Sequence, residues 1–295
     1  MAAALDDTVR TQVTTRLLDC LGPSATVEEI GPGGHLTRCH VRVIVNILGE
    51  RKNLFLKALK PERKEREQYA YEQILPTLDV RTPRLLGSFP DWEYPTVWLV
   101  LEWIEGRRAD RNNTDDLSLV FEALAQLHSQ SERWKAPVGG LPDSALQLQS
   151  AQLHQMYEVI ERNQSRLGID TDCLSLLNHS VGSLLSGPRV WTHSDNDVSN
   201  ILIKDHAAWL IDWELAMWST PGVDLGNLCV HLSDDEISRG LTTYRRVYSE
   251  RVSREVHGSE IQKWLADGLC HDALTWLGFY CEHRDSHQLD EHNWY

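Results

Sequence analysis

Two short apolar runs, each bounded by polar residues at fixed spacing, constrain this chain more than any other feature. Residues 190–203 read VWTHSDNDVSNILI, and WLIDWELAMW occupies 209–218. Asp195 stands five residues before Asn200, which opens the run Ile201–Ile203. Asp212 closes a second run, Trp209–Ile211. Two strands joined by a turn near Lys204–Ala207 would set Asn200 beside Asp212, with the loop carrying Asp195 next to them. Phosphoryl transfer requires such a set: one carboxylate to take or orient a hydroxyl proton, and an amide and a carboxylate to hold Mg²⁺. Asp also favours turns and caps, so either aspartate alone has a purely structural reading.

Upstream, Asp6–Leu21 carries Val9, Val13, Leu17 and Leu18 at helical spacing, and Gly22-Pro23 ends the helix. Strands are expected over Thr26–Ile30, His40–Leu48 and Asn53–Leu59, with a turn at Gly49-Glu50. Between the first two lies GPGGHLTR, residues 31–38, whose Gly33 and Gly34 would let backbone N–H groups approach phosphates. Glycine-rich hairpin turns look the same, so the loop is informative only with its neighbours. Lys57 is the neighbour that matters. A lysine within the apolar strand LFLKAL is costly to bury unless it is paired. The helix that follows, PERKEREQYAYEQIL, offers Glu62, Glu65, Glu67 and Glu72 as partners. Glu67 shares a stripe with Ala70, Tyr71 and Ile74, so its carboxylate faces the apolar side.

Val97–Gly106 is a strongly apolar run, and beyond it the pattern turns helical. Thr114 is in position to cap a helix through Leu127; further helices are expected over Leu146–Arg166, Thr171–Leu185, Ile237–Val252 and Ser259–Cys281. Trp264, Trp276, Phe279 and Tyr280 are read as core aromatics of the last of these. The composition narrows the partners. With 29 basic and 43 acidic residues the formal charge is −14, which disfavours nucleic acid and anionic membrane surfaces and suits a cationic small substrate. The sequence shows no signal-peptide pattern and no span of 18 apolar residues. Six cysteines without Cys-x-x-Cys pairing are expected to be reduced thiols of a cytoplasmic protein. Cys270, His271, Cys281 and His283 fit no zinc spacing.

His193-x-Asp195, Asn200 and the Ile-Asp-Trp-Glu of 211–214 resemble the catalytic core of the protein-kinase-like phosphotransferases, most closely the aminoglycoside phosphotransferase and choline kinase branch. That family usually has Gly where Ser194 stands, often His at Asp197 and Pro at Val198. The resemblance covers roughly Gly31 to Asp224. It implies an α+β, two-lobe fold: a small antiparallel N-lobe over residues 1–105 that binds nucleotide, and a mainly helical C-lobe over 106–295 with the catalytic loop and acceptor site. It further implies that Lys57 contacts phosphates of ATP or GTP and pairs with Glu67. Backbone groups of Glu102, Trp103 and Ile104 would bond the base. Asn200 and Asp212 would ligate Mg²⁺, Asp195 would be the catalytic base, and Asp224 would brace the catalytic loop or cap a helix.

The expected reaction is transfer of a γ-phosphoryl group to a hydroxyl of a small molecule of the aminoglycoside, antibiotic or amino-sugar kind. A metabolic kinase acting on choline, homoserine or a thiosugar is the alternative within the same fold. A nucleotide-binding pseudokinase is a third reading, permitted by Ser194 and Val198 and opposed by the intact Asp195, Asn200 and Asp212. A protein kinase fits less well: residues 212–214 read Asp-Trp-Glu rather than Asp-Phe-Gly, and no Ala-Pro-Glu follows.

Overall fold

The computed structural model describes residues 7–32, 40–60, 64–132, 144–186 and 188–283. By compactness the chain forms two units, Met1–Arg108 with Leu202–Leu215, and Ala109–Ile201 with Ala216–Tyr295. The expected cut at residue 105 is therefore crossed a second time.

The first unit is built on a five-stranded antiparallel sheet. Helix α1 (Asp7–Leu21) leads into β1 (Ala25–Pro32), β2 (His40–Ile47) and β3 (Glu50–Ala58). Gly22 ends α1 at φ +88°, its N–H donating to the Leu18 carbonyl at 2.9 Å, the geometry glycine supplies most cheaply. The sheet is completed by β4 (Leu85–Pro90) and β5 (Val97–Glu102), in the order β1-β2-β3-β5-β4. Alternation decides its faces. Val41, Val43, Val45, Leu54, Leu56, Trp98 and Val100 form one core with Val13 and Leu17 of α1. His40, Arg42, Phe55 and Lys57 therefore point to the other face, with His40 directly opposite Lys57 across the β2–β3 ladder. After β3 comes α2 (Lys64–Tyr69), which continues as a wider π turn over Ala70–Ile74.

The later segment of this unit explains the second crossing. Strands β6 (Arg107–Arg108), β8 (Ile201–Lys204) and β9 (Ala207–Leu210) form a small sheet in the order β6-β8-β9, with Arg107 opposite Ile203. Asp205 and His206 make the β8–β9 turn at φ +49° and +56°. The Leu210 N–H then donates to the Arg81 carbonyl, and the Trp213 indole N–H to Thr82 Oγ1, both at 2.9 Å.

The second unit is mainly helical. It contains α3 (Thr114–Ser131), α4 (Ser144–Arg162), the short α5 (Gln164–Leu167), α6 (Thr171–Ser186), β7 (Val190–Thr192) paired with β10 (Met217–Ser219), α7 (Pro221–Cys229), α8 (Asp234–Val252) and α9 (Gly258–His283). The cap of α3 is Asn113, not Thr114: its side-chain oxygen accepts from the N–H groups of Asp115 and Asp116. Serine 233 and Glu236 form a capping box on α8. Leu153, Ile160, Leu177, Val181, Val223 and Leu274 make a core shared by α4, α6, α7 and α9. Of the aromatics expected inside, Trp264 is 4 % exposed, whereas Trp276 and Phe279 are 50 % and 40 % exposed. The α9 stripe facing the core is set by Ile261, Trp264 and Leu274, which leaves those two rings on the outer side. No helix among the described residues is long and apolar enough to cross a membrane.

Helices α7 and α9 approach backbone to backbone, since a Cβ at Gly226 would run into the main chain of Gly268. Gly226→Ala is therefore expected to destabilise the protein by about 1–3 kcal/mol through overpacking. Gly182→Ala, in the middle of α6 with open space around it, should be neutral or stabilising by up to about 1 kcal/mol. Urea unfolding of the two variants checks both.

Candidate active site

In the first unit β3 delivers Lys57 and α2 delivers Glu67 to the same buried point. The Lys57 ammonium donates to Glu67 Oε1 at 2.8 Å and to Asp212 Oδ1 at 2.6 Å. Lys57 is 6 % and Glu67 1 % exposed, so neither charge could be held there without the other. Asp212 follows β9 and takes φ +65°, a left-handed conformation that aspartate tolerates better than most residues. Burial works against the Lys57 ammonium, but the two carboxylates outweigh it and raise its pKa. Burial pushes the Glu67 carboxyl up to about 7 against the opposing pull of Lys57. Glu214, in the 3₁₀ turn Trp213–Leu215, accepts from Lys60 at 3.0 Å.

Three carboxylates thus face two ammonium groups. One oxygen each from Glu67, Asp212 and Glu214 lies within 4.8 Å of the others. Hard oxygen donors at this density, with negative charge in excess, suit a small divalent cation such as Mg²⁺. The signal for Glu214 in the sequence is its place as the last residue of the Ile-Asp-Trp-Glu motif of 211–214.

In the second unit the segment after β7 is held from below by one buried carboxylate. Asp224, on α7, accepts from the His193 N–H through Oδ2 at 2.9 Å and from the Ser194 N–H through Oδ1 at 2.6 Å. His128 Nε2 lies 2.8 Å from the same Oδ2, and its Nδ1 lies 2.7 Å from the Tyr244 hydroxyl. Asp224 and His128 are both fully buried. Burial alone would raise the Asp224 pKa, but its bond to His128 and the nearby His193 hold it below the ordinary carboxylate range. Asn196 donates its N–H to Asn227 Oδ1 at 2.7 Å. The loop so fixed presents Asp195, whose Oδ2 accepts from Asn200 Nδ2 at 2.9 Å. The Asn200 amide also reaches the Asp195 carbonyl at 3.2 Å.

A family model described as the phosphotransferase enzyme family matches residues 48–258 of this chain. The chain belongs to that family. A search of curated proteins gives no match. Solved structures with the same fold include aminoglycoside-3'-phosphotransferase of type VIII, at 17 % identity and TM-score 0.51, covering 88 % of this chain and 98 % of that one. The choline/ethanolamine kinase family protein from Mesorhizobium loti is similar at 16 % identity and TM-score 0.56, with 96 % and 89 % covered. The streptomycin–ATP–APH(2")-IIa ternary complex is similar at 12 % identity and TM-score 0.57, with 94 % and 95 % covered. The protein-kinase-like fold expected from the sequence is thereby shown.

Against the family pattern, the loop substitutions have local explanations. Ser194 has φ +65°, the region where glycine is at ease and another residue pays about 1–2 kcal/mol. Its strain is offset by the N–H bond to Asp224 and by a 2.8 Å contact between the Ser194 and Thr192 hydroxyls. Asp197 is held by the protein's own groups. It caps the 3₁₀ turn Val198–Asn200 and pairs with Arg111 at 2.9 Å.

Of the three residues whose backbone groups are expected to bond the base, two already use their N–H groups. The Glu102 N–H donates to the Arg84 carbonyl at 2.9 Å and the Trp103 N–H to the Asn53 carbonyl at 3.3 Å. They extend the ladders of β4 and β3, which leaves Ile104 as the next donor along the chain. Gly33 and Gly34 lie outside the described residues. Arg111 and Asn227, both tied to the loop that carries Asp195, were not expected; isolated polar residues outside a motif carry no sequence signal of such a role.

Asp224→Asn should expose the cost of this bracing. A carboxylate with a depressed pKa contributes stability that is present above the unfolded value, about pH 4, and is lost as pH falls through the folded value. The wild type should exceed the variant by about 3 kcal/mol near neutrality, with the gap closing under acid. Urea unfolding from neutral to acidic pH reads it out.

Proposed function

We propose that the protein transfers the γ-phosphoryl group of ATP or GTP to a hydroxyl of a small, cationic acceptor of the aminoglycoside or amino-sugar kind. The observation that carries this reading is the Lys57–Glu67–Asp212 cluster, two charges buried and the third partly exposed, which is a poor stabilising core feature: burying an ion pair where apolar side chains would pack is often no better than neutral. A divalent cation would be held at Asp212, with Glu214 close to it and Asn200 the second ligand that the family resemblance implies. Bound there, Mg²⁺ would neutralise charge on the triphosphate.

Glu67 keeps Lys57 aimed, and Lys57 exchanges Asp212 for phosphate oxygens, so the same ammonium serves with and without nucleotide. A nucleobase would lie along the sheet face between Lys57 and Ile104. Phe55 occupies that face, two residues from Lys57, and its ring lies 6.2 Å from Trp103, over which the Arg42 guanidinium sits at 5.0 Å. Flat rings and a planar cation are the surfaces on which a nucleobase stacks.

For the chemical step, Asp195 accepts the proton of the acceptor hydroxyl as that oxygen bonds to phosphorus. The bond from phosphorus to the departing nucleoside diphosphate oxygen breaks in line. Asn200, donating to Asp195 Oδ2, fixes the carboxylate's rotamer. Positioning and charge neutralisation supply most of the acceleration. His193 serves the loop through its backbone bond to Asp224 and is not the base.

The acceptor class rests on the charge of −14, which draws cations to the surface. Choline-type acceptors share that attraction, and the solved structures of this fold include both an aminoglycoside phosphotransferase and a choline/ethanolamine kinase family protein.

The test is ADP and GDP release with Mg²⁺ across aminoglycosides, choline, hydroxy-amino acids and sugars. A hit is expected among cationic hydroxyl compounds. Asp195→Ala should lower that turnover at least about 1,000-fold while nucleotide affinity stays within a factor of three. Turnover retained in Asp195→Ala would sink the assignment of the base.

A further inference from the structure

The turn that joins Asp195 to Asn200 is clamped from both ends by one segment, residues 109–111. The Ala109 N–H donates to the Ile201 carbonyl at 2.9 Å, just past Asn200. Arg111 donates through Nη2 to Asp197 Oδ2 at 2.9 Å, just before the turn begins. The clamping segment is itself fixed. The Asp110 N–H donates to Asp116 Oδ2 at 2.9 Å, and the Asn113 N–H to the Asp110 carbonyl at 3.0 Å, at the capped start of α3.

Asp197 is where the clamp meets the turn. Its Oδ1 accepts from the Ser199 N–H and its carbonyl from the Asn200 N–H, both at 2.8 Å. Its remaining carboxylate oxygen takes Arg111. One residue therefore sets the backbone of the turn and ties it to a rigid helix start.

We propose that Arg111 and Asp197 are positioning residues for the phosphoryl-transfer step, holding the 198–200 turn so that the Asn200 amide stays on the Asp195 carboxylate. The inference rests on the phosphotransferase reading above. Neither residue touches substrate in this account; both act through Asn200 and Asp195. The pair is not there for stability. Its side chains are 38 % and 43 % exposed, and an ion pair so open to water contributes little to folding. Its value is angular. Asn200 bridges to Asp195 at two points, the carbonyl at 3.2 Å and Oδ2 at 2.9 Å, and a rotation of the turn would break both. A displacement of about 1 Å in a reacting group can cost on the order of 100-fold in rate.

Three variants separate the alternatives. Arg111→Ala removes the clamp, Arg111→Lys keeps the charge and a single bond, and Asp197→Asn keeps the turn cap while weakening the ion pair. Two readouts are taken on each: steady-state kinetics on the acceptor found by the panel, or triphosphate hydrolysis by water if none is found, and amide hydrogen exchange of the full chain.

Arg111→Ala should lower kcat about 10- to 100-fold with KM for nucleotide within a factor of two. Exchange should quicken at Ser199 and Asn200 and stay unchanged in α3 and α8. Arg111→Lys should recover at least half of the lost kcat on a logarithmic scale, and Asp197→Asn should fall between. Unchanged kcat in Arg111→Ala overturns the proposal, whether or not exchange quickens. So does a loss of kcat accompanied by faster exchange throughout α3 and α8, which would mark a merely structural role. A wild type without turnover or nucleotide binding would contradict the phosphotransferase reading instead. Exchange at Ser199 and Asn200 would then decide the clamp, unchanged rates in Arg111→Ala overturning it.

Discussion

One ammonium group organises the first unit. Lys57 is buried in a strand, and nothing but the carboxylates of Glu67 and Asp212 makes that tolerable. The requirement propagates outward. The strand must put Lys57 on the face opposite the α1 core, the helix after it must turn Glu67 inward, and the β8–β9 hairpin must return the chain so that Asp212 arrives at the same point. Three segments far apart in sequence are tied together by one charge. The arrangement also leaves carboxylate oxygens close together, a donor set that suits a divalent cation.

The second unit answers with a carboxylate where the first has an ammonium. Asp224 holds two consecutive backbone N–H groups and the ring of His128, which is anchored in turn by Tyr244. Such bonds commit a loop to one shape in a buried setting where leaving them unmade is costly. The strained Ser194 is affordable because the N–H that its conformation presents is the one Asp224 accepts from. The loop after β7 thus takes much of its rigidity from α3, α7 and α8, in addition to the bonds among its own residues.

The parts readable in the sequence were those whose physics is local. Alternation in β2, a lysine stranded among apolar residues and the stripe that turns Glu67 inward each carry their signal within a few residues. Lys57 and Glu67 could be paired for that reason, whereas Asp195, Asn200 and Asp212, and the fold with them, were read from the resemblance of their ordered motifs to the family. What could not be read depends on tertiary partners. Nothing in the local sequence says that Asn113 rather than Thr114 caps α3, or that Asp197 spends its charge on Arg111. Likewise Trp276 and Phe279 share the periodicity of buried α9 residues, and only packing against α4, α6 and α7 decides which side of that helix faces out. The return of 202–215 to the first unit is of the same kind, because it rests on backbone bonds to Arg81 and on pairing with β6.

The central claim is that the Lys57–Glu67–Asp212 cluster is a site for a nucleoside triphosphate with its metal ion. Calorimetric titration of ATP and GTP into the wild type and into Asp212→Asn, with Mg²⁺ and with a chelator, tests it most directly. The account predicts binding that strengthens at least about tenfold with Mg²⁺ in the wild type, and a loss of that metal dependence in Asp212→Asn. Nucleotide binding that ignores Mg²⁺, or no nucleotide binding at all, would contradict it.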